Sequence, residues 1–596
     1  MVKQLTSGLQ ESIAGGINGG LLSRPQFRGS TLDLDFAGTK SLKNTVGNTD
    51  LVTFTRASSG TYVDGNRVIR TTPVNLFLKS QTFGSPTWNK TGVSVTTASI
   101  DSPFDTSTVY QMTATATPSF LNQDSSDLIA NRTYTQSIFA KAGSRNFIQL
   151  APSTGFAGSP SHVNFELTGE GTVGTNTTGG VASIEKIGND GWYRVTLTAQ
   201  RDSTNPGNPR ILFSVTNSLT GGRLLATSGS VHIWGAQIEE GTAATPYIKT
   251  DTTISGAPRF DHDPTTGESL GLLIEEARTN FLKYSDQFDN AAWTKIGPHN
   301  YQINSTIAPD GTQTADTFGF DNAVIFQDNG TVSNGTTYTG SIYLKSNSNQ
   351  TLKLRVASGA ASDSQEISVT TEWQRFVVTH TAANNTDPLR LLIEGRDANL
   401  TVNLPADFEL SLWGAQLEVG SFPTSYIPTD GTPGGITRAA DVAEITGANF
   451  SSFYNQSEGT VFAQSRINRV CDTAGTGVVF ADDGTNNNYV GLFYTGSGAT
   501  GSVVRTGGVD SLNTNPYGSV SANTTIQQAV AYKAGDSIGA GGGNLTAVNL
   551  STNIPAVNRL LIGDFVGSGA PLDGHIKRLT YFNTRLPNAT LQNITN

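Results

Sequence analysis

Trp234-Gly235-Ala236-Gln237-Ile238-Glu239 returns later in the chain as Trp413-Gly414-Ala415-Gln416-Leu417-Glu418, and Gly241, Thr245, Tyr247 and Ile248 are echoed by Gly420, Thr424, Tyr426 and Ile427. In Val231-His232-Ile233-Trp234-Gly235-Ala236-Gln237-Ile238 both faces carry apolar residues, the pattern of a strand buried between a sheet partner and a covering segment. Trp234 and Trp413 are therefore expected in a core. Upstream, Asn75, Ser80, Phe83, Trp88, Lys90 and Gly92 recur at one constant offset as Asn280, Ser285, Phe288, Trp293, Lys295 and Gly297. Between these brackets Tyr134-Thr135 matches Tyr338-Thr339, and Trp192-x-Arg194 matches Trp373-x-Arg375, so all 6 tryptophans fall into matched pairs.

The chain thus contains a duplicated module of domain size, not a short solenoid repeat. Runs rich in Val, Ile, Thr, Tyr and Phe, broken at close intervals by Gly, Asn, Asp and Pro, give an all-β reading of tandem antiparallel β-sandwiches. The expected organisation is a leader over 1–30, a small β segment over 31–73, module 1 over 74–250, a connector over 251–278, module 2 over 279–430, a linker over 431–445 and a tryptophan-free domain over 446–596. Asn588 is the expected N-cap of a short terminal helix.

Of 596 residues only 14% are charged, net charge is −10, and no basic run offers a footprint for nucleic acid. The single cysteine, Cys471, excludes an intrachain disulfide framework or multi-cysteine metal site and reads as a packing residue. No segment reaches the ~20 apolar residues of a membrane span, and the first thirty residues lack a signal-peptide core. The expectation is a protein made in the cytoplasm.

TFTRASSGTYVDGN at 53–66, PRFDHDPTTGESLGLLIEEARTNFL at 258–282, the two WGAQ strands and LDGHIKRLTYFNTRLPNATLQNIT at 572–595 resemble a family of tailed-bacteriophage virion proteins. Those proteins are built from carbohydrate-binding-type jelly rolls and a concanavalin-A or laminin-G-like sandwich. The resemblance implies two jelly-roll modules, a concanavalin-A-like C-terminal domain and a tail-fibre, spike or decoration role on the virion. It also implies a homo-oligomer, with a trimer as the family-level form, and the leader is the expected point of attachment to other virion proteins. It carries over no sugar-contact residues.

Gly535-Asp536-Ser537-Ile538-Gly539 matches a nucleophile elbow, with Asp564 and His575 in hydrolase order. The glycine run that follows Ser537 is a poor helix start, and a hairpin turn is the expectation. The doublets Glu239-Glu240, Glu275-Glu276 and Asp482-Asp483 place neighbouring carboxylates on opposite strand faces, which does not make a glycosidase pair. The six histidines show no metal-ligand spacing. No catalytic residue, catalytic metal or cofactor is expected. Asp261-His262-Asp263 and Asp482-Asp483-Gly484 offer hard oxygens to a structural calcium, although turns explain them as well.

Sugar recognition needs a flat aromatic flanked by amides and carboxylates. The candidate glycan contacts are Trp88, Trp293, Asn486, Asn488 and Tyr489, with module-core packing the competing reading for the tryptophans. The function expected is display of β-sandwich modules that bind host-surface polysaccharide. The alternatives are a capsid decoration or head-fibre protein and a polysaccharide depolymerase or esterase.

Overall fold

The computed structural model describes residues 27–596 except 105–106, 125–127, 154, 157, 159–160, 204–208, 360, 397–398, 470–474 and 567–570. Residues 1–26 of the expected leader, and Cys471, lie outside the described residues. The fold is nearly all β, with 48% strand and 3% helix. No helix among the described residues is long and apolar enough to cross a membrane. The chain divides into two compact units: one of residues 55–59 and 72–257, the other holding the remainder.

The first unit contains module 1. One antiparallel sheet runs in the order Val181–Ile187, Trp192–Gln200, Thr133–Ala142, Ser230–Glu240, Val109–Ala114, Val93–Ala98. The second runs Thr172–Asn176, Val163–Glu166, Phe147–Pro152, Ile211–Val215, Phe120–Asn122, Asn89–Thr91. Alternate residues such as Ile138, Ile148, Leu150, Val195, Leu197 and Phe213 fill the space between the sheets.

The WGAQ motif explains itself at the backbone. Ser137 pairs with Gln237 but Phe139 pairs with Trp234, so the long strand carries one extra residue, a bulge. Gly235 sits in that bulge at φ +54, where a Cβ would stand 3.2 Å from the Phe139 ring. The bulge resets the alternation. Ile233, Ala236 and Ile238 face the main core, while Trp234 packs on the other side of the sheet with Val109, Phe139 and Trp192.

Module 2, in the second unit, repeats this plan. Its sheets run Thr294–Ile296, Val324–Thr331, Pro388–Glu394, Gln350–Ser358, Ala361–Val369, and His299–Thr306, Ala315–Gly319, Glu409–Val419, Thr337–Ser346, Gln374–Thr381. The same register shift falls between Ser341 and Tyr343, with Gly414 at φ +62.

The C-terminal sandwich is larger than the sequence boundaries suggest. Gly574–Phe582 pairs on one side with Glu458–Ile467, and on the other with Leu32–Leu34 and Ser269–Ile274. Phe260–His262 extends the sheet beyond Ser269–Ile274. The small β segment and the connector, expected as separate pieces, thus supply strands to this domain. Leu32, Leu34, Leu272 and Ile274 are fully buried in its core beside Leu492, Val530 and Ile576. The facing sheet includes Val442–Thr446, Arg559–Ile562, Thr476–Asp482, Tyr489–Tyr494, Thr500–Thr506 and Val509–Thr514 in that order.

A terminal helix spans Asn588–Ile594 and buries Leu591 and Ile594. Its N-cap is Pro587, not the expected Asn588, whose Oδ1 accepts from Arg585 instead. The reason is local: Pro587 supplies a fixed φ, and the Arg585 guanidinium occupies the side-chain acceptor that would otherwise cap the helix.

Candidate functional site

The residues shared by the two modules build scaffold. Trp88 and Trp293 are each 1% exposed. Trp88 lies among Phe77, Phe83 and Phe213, and its Nε1 donates to the Lys79 carbonyl at 3.0 Å. Trp293 packs on Phe288 and donates to the Tyr284 carbonyl at 3.0 Å. Neither offers a ring face to a sugar, so these two candidate contacts take the core role. Lys90 and Lys295 close the same turns, their Nζ donating to carbonyls that include those of the tryptophans.

The other repeated residues pin the covering segment to the bulged strand. Gln237 donates to Glu239 at 2.7 Å, Thr245 N donates to Glu239 at 2.9 Å, Ile248 N donates to Gln237 at 2.7 Å, and Arg194 donates to the Thr245 carbonyl at 2.6 Å. Gln416, Glu418, Thr424, Ile427 and Arg375 repeat every bond. Burial raises the Glu418 carboxyl above the usual range, against the hydrogen bonds from Gln416 and Thr424 that lower it.

In the last domain, Asn486 and Asn488 sit on one loop and Tyr489 opens the strand that follows it. Asn486 is exposed, and its carbonyl accepts from Arg505 at 3.3 Å. Asn488 donates to Asp483 at 2.8 Å and accepts from Gly507 N at 3.0 Å. The Tyr489 ring is only 7% exposed, packed on Phe480 with the Arg505 guanidinium 5.4 Å from its centroid. Asp483 closes the turn through Thr485, while Asp261 and Asp263 are engaged by His575, Val63, Thr265 and Thr266. Ser537 is fully buried in the hairpin between Ile526–Lys533 and Ile538–Gly541, bonded to Lys533. No strand-turn-helix elbow forms there.

The modules differ at one edge. Module 1 carries two extra consecutive strands, Thr172–Asn176 and Val181–Ile187, one at the edge of each sheet. Ile187 pairs with Trp192 and packs against it, and Trp192 is 1% exposed. Module 2 passes directly from Ala361–Val369 to Gln374–Thr381, so Trp373, the counterpart of Trp192, keeps a partly exposed indole beside the Lys345 ammonium. Its Nε1 is fixed by the Ile307 carbonyl at 2.9 Å. Sequence reading pairs Trp373 with Trp192 and does not single out its exposure; the shorter spacing after Tyr338 is the available signal.

Along the same strand the two sheet edges diverge into an open cleft of about 460 Å³, lined by Asp363, Ser364, Gln365, Val378, Thr379, His380 and Thr381. Trp373 leads into that strand, Gln374–Thr381, in which Thr379 and Thr381 share the outward face by alternation. His380 links Ser358 Oγ at 2.8 Å to Asp363 Oδ2 at 2.7 Å. This has triad connectivity with inverted access: Ser358 is 0% exposed and the Asp363 side chain 62%. A nucleophile must reach its carbonyl, so this trio orients Asp363 at the cleft and does not perform acyl transfer. In module 1 the register places Ala199 where His380 stands, each opposite the matching tyrosine.

No protein-family model matches this chain, and no curated protein does. Among solved structures, the CBM40 of the Ruminococcus gnavus IT-sialidase bound to alpha2,6 sialyllactose is 16% identical, covering 25% of this chain and 88% of that one at a TM-score of 0.22. The CBM22-1-CBM22-2 tandem of Paenibacillus barcinonensis Xyn10C is 12% identical, covering 58% and 97% at 0.19. TmCBM61 in complex with beta-1,4-galactotriose is 15% identical, covering 23% and 97% at 0.18. Scores of this size carry no argument about ligand or site.

Proposed function

We propose that this chain is a bacteriophage virion structural protein of tail-fibre or spike type, without enzymatic activity, that displays β-sandwich modules to bind host-surface glycan. The observation that carries the glycan part is the open edge of module 2. A partly exposed indole, Trp373, leads into the strand whose far end borders a shallow cleft with a polar lining of hydroxyls, an amide, an imidazole and a carboxylate. That lining suits a polyol, which needs an aromatic face and many short polar contacts. The virion part rests on the resemblance of the segments at 53–66, 258–282 and 572–595. Weak sites gain avidity when a homo-oligomer repeats them.

The test is a glycan array of bacterial surface polysaccharides probed with the full chain. W373A and D363A are expected to lower binding about tenfold, or about 1.4 kcal/mol. Unchanged binding in both variants would remove the site. Gold-labelled antibody on whole particles locates the protein: label on tail fibres supports the reading, whereas label over the head favours capsid decoration. A fluorophosphonate probe is expected to leave Ser358 and Ser537 unmodified.

A further inference from the structure

A second cleft of the same unit, about 480 Å³, is lined by residues that include Glu276, Arg278, Gly420, Phe422 and Arg469. Its volume lies within the range of small-ligand sites. Two guanidiniums lie against the Phe422 ring, Arg278 at 4.8 Å and Arg469 at 4.3 Å from its centroid. Arg278 lies over Gly420, where a Cβ would collide with its Nη1, so the glycine makes room for the cation. Each guanidinium has five donors but meets one carboxylate among the described residues, Arg278 with Glu276 and Arg469 with Asp573 at 3.5 Å. Among the described residues, the Nε atoms of both arginines lack a hydrogen-bond partner.

Module 1 has nothing equivalent. At the positions of Arg278 and Phe422 it carries Pro73 and Ala243, although Asn75, Gly241 and Thr245 around them match Asn280, Gly420 and Thr424. The scaffold is therefore formed without that guanidinium and that ring. Burial lifts the Asp573 carboxyl to about 7, with Glu276 next in effect, so near neutrality Asp573 only partly cancels the Arg469 charge. The cleft keeps cationic character beside an aromatic wall.

We infer that this cleft is a subsite for a carboxylate-bearing sugar residue, a uronate unit of an acidic polysaccharide, with Arg278 and Arg469 donating to the carboxylate and Phe422 positioning them. The inference rests on the glycan-binding reading and narrows it to acidic saccharides. Planar guanidinium edges match a carboxylate in a way that a lysine ammonium does not.

Isothermal titration of the full chain compares three probes: trigalacturonate, the neutral galactose trisaccharide of the same linkage, and inorganic phosphate. The acidic trisaccharide is expected to bind about tenfold more tightly than the neutral one, and R469Q to remove that preference while cooperative thermal unfolding is retained. R278K, which keeps the charge beside Glu276, is expected to lose most of the preference as well. Equal binding of both trisaccharides, or an R469Q protein indistinguishable from the parent, overturns the subsite and leaves the glycan reading standing on Trp373 and Asp363. Phosphate binding without any saccharide binding overturns the sugar assignment together with that reading.

Discussion

Asp573 has a positive φ of 46° and is 2% exposed, and its Oδ1 accepts from Glu276 N at 3.0 Å. Its carboxyl is lifted by burial first and by Glu276 second, from 3.8 to about 7. The fold therefore binds a proton that the unfolded chain has already released between those two values. Stability from this residue is full below pH 3.8, falls as pH rises, and has been lost above about 7. Melting temperatures at pH 5 and pH 8 test this: the parent is expected to lose stability across the interval, and D573N to flatten that loss. A D573N slope equal to the parent's would place the pH dependence elsewhere. No sequence pattern announces this residue, because its environment is assembled from segments nearly three hundred positions apart.

The bulge is where sequence and element meet. Gly235 and Gly414 hold φ of +54 and +62, and a Cβ at Gly414 would stand 3.1 Å from the Tyr343 ring. G414A is expected to cost about 1–3 kcal/mol through the strained backbone, read as a lower denaturation midpoint. The repeat was legible because these residues do one structural task twice. That same logic hid the site. Repetition marks scaffold, so Trp88 and Trp293 stood out in the sequence, while the open edge arises from a strand that module 2 lacks. Trp373 is the one tryptophan outside the buried set. Limited N-bromosuccinimide oxidation followed by peptide mass mapping is expected to modify Trp373 before the other five. First modification of Trp192 would contradict the shielding assigned to the Val181–Ile187 strand.

At the scale of the whole chain, the all-β class and the two modules were readable from periodicity and repetition, whereas the domain boundaries were not. The strands completing the C-terminal sandwich come from positions far apart in sequence, and pairing partners cannot be read from local pattern. The connector's Arg259 joins Glu275, Asp441 and Ser425 in a buried network that Arg438 also enters through Glu275. Burial opposes the Glu275 charge, but Arg438 and Arg259 hold its carboxyl far below the usual range, so its contribution is present above the unfolded carboxylate pKa and is lost only in strong acid. E275Q leaves two buried guanidiniums short of an anion and is expected to cost about 3–5 kcal/mol in thermal or denaturant unfolding.

The same unit predicts how the chain tolerates surgery. Val63 N donates to Asp261 at 2.7 Å, and His262 Nδ1 lies 3.0 Å from the Val63 carbonyl, so the segments before and after module 1 are bonded to each other within the second unit. Module 1 is thus an insertion whose two ends are held by the unit that receives it. A chain in which a short glycine-serine linker replaces residues 72–257 is expected to unfold cooperatively, with the Asp573 pH dependence retained. Residues 446–596 alone lack the strands at 32–34, 260–262 and 269–274 and are expected not to fold. Cooperative unfolding of that fragment would show that the added strands only decorate a complete sandwich.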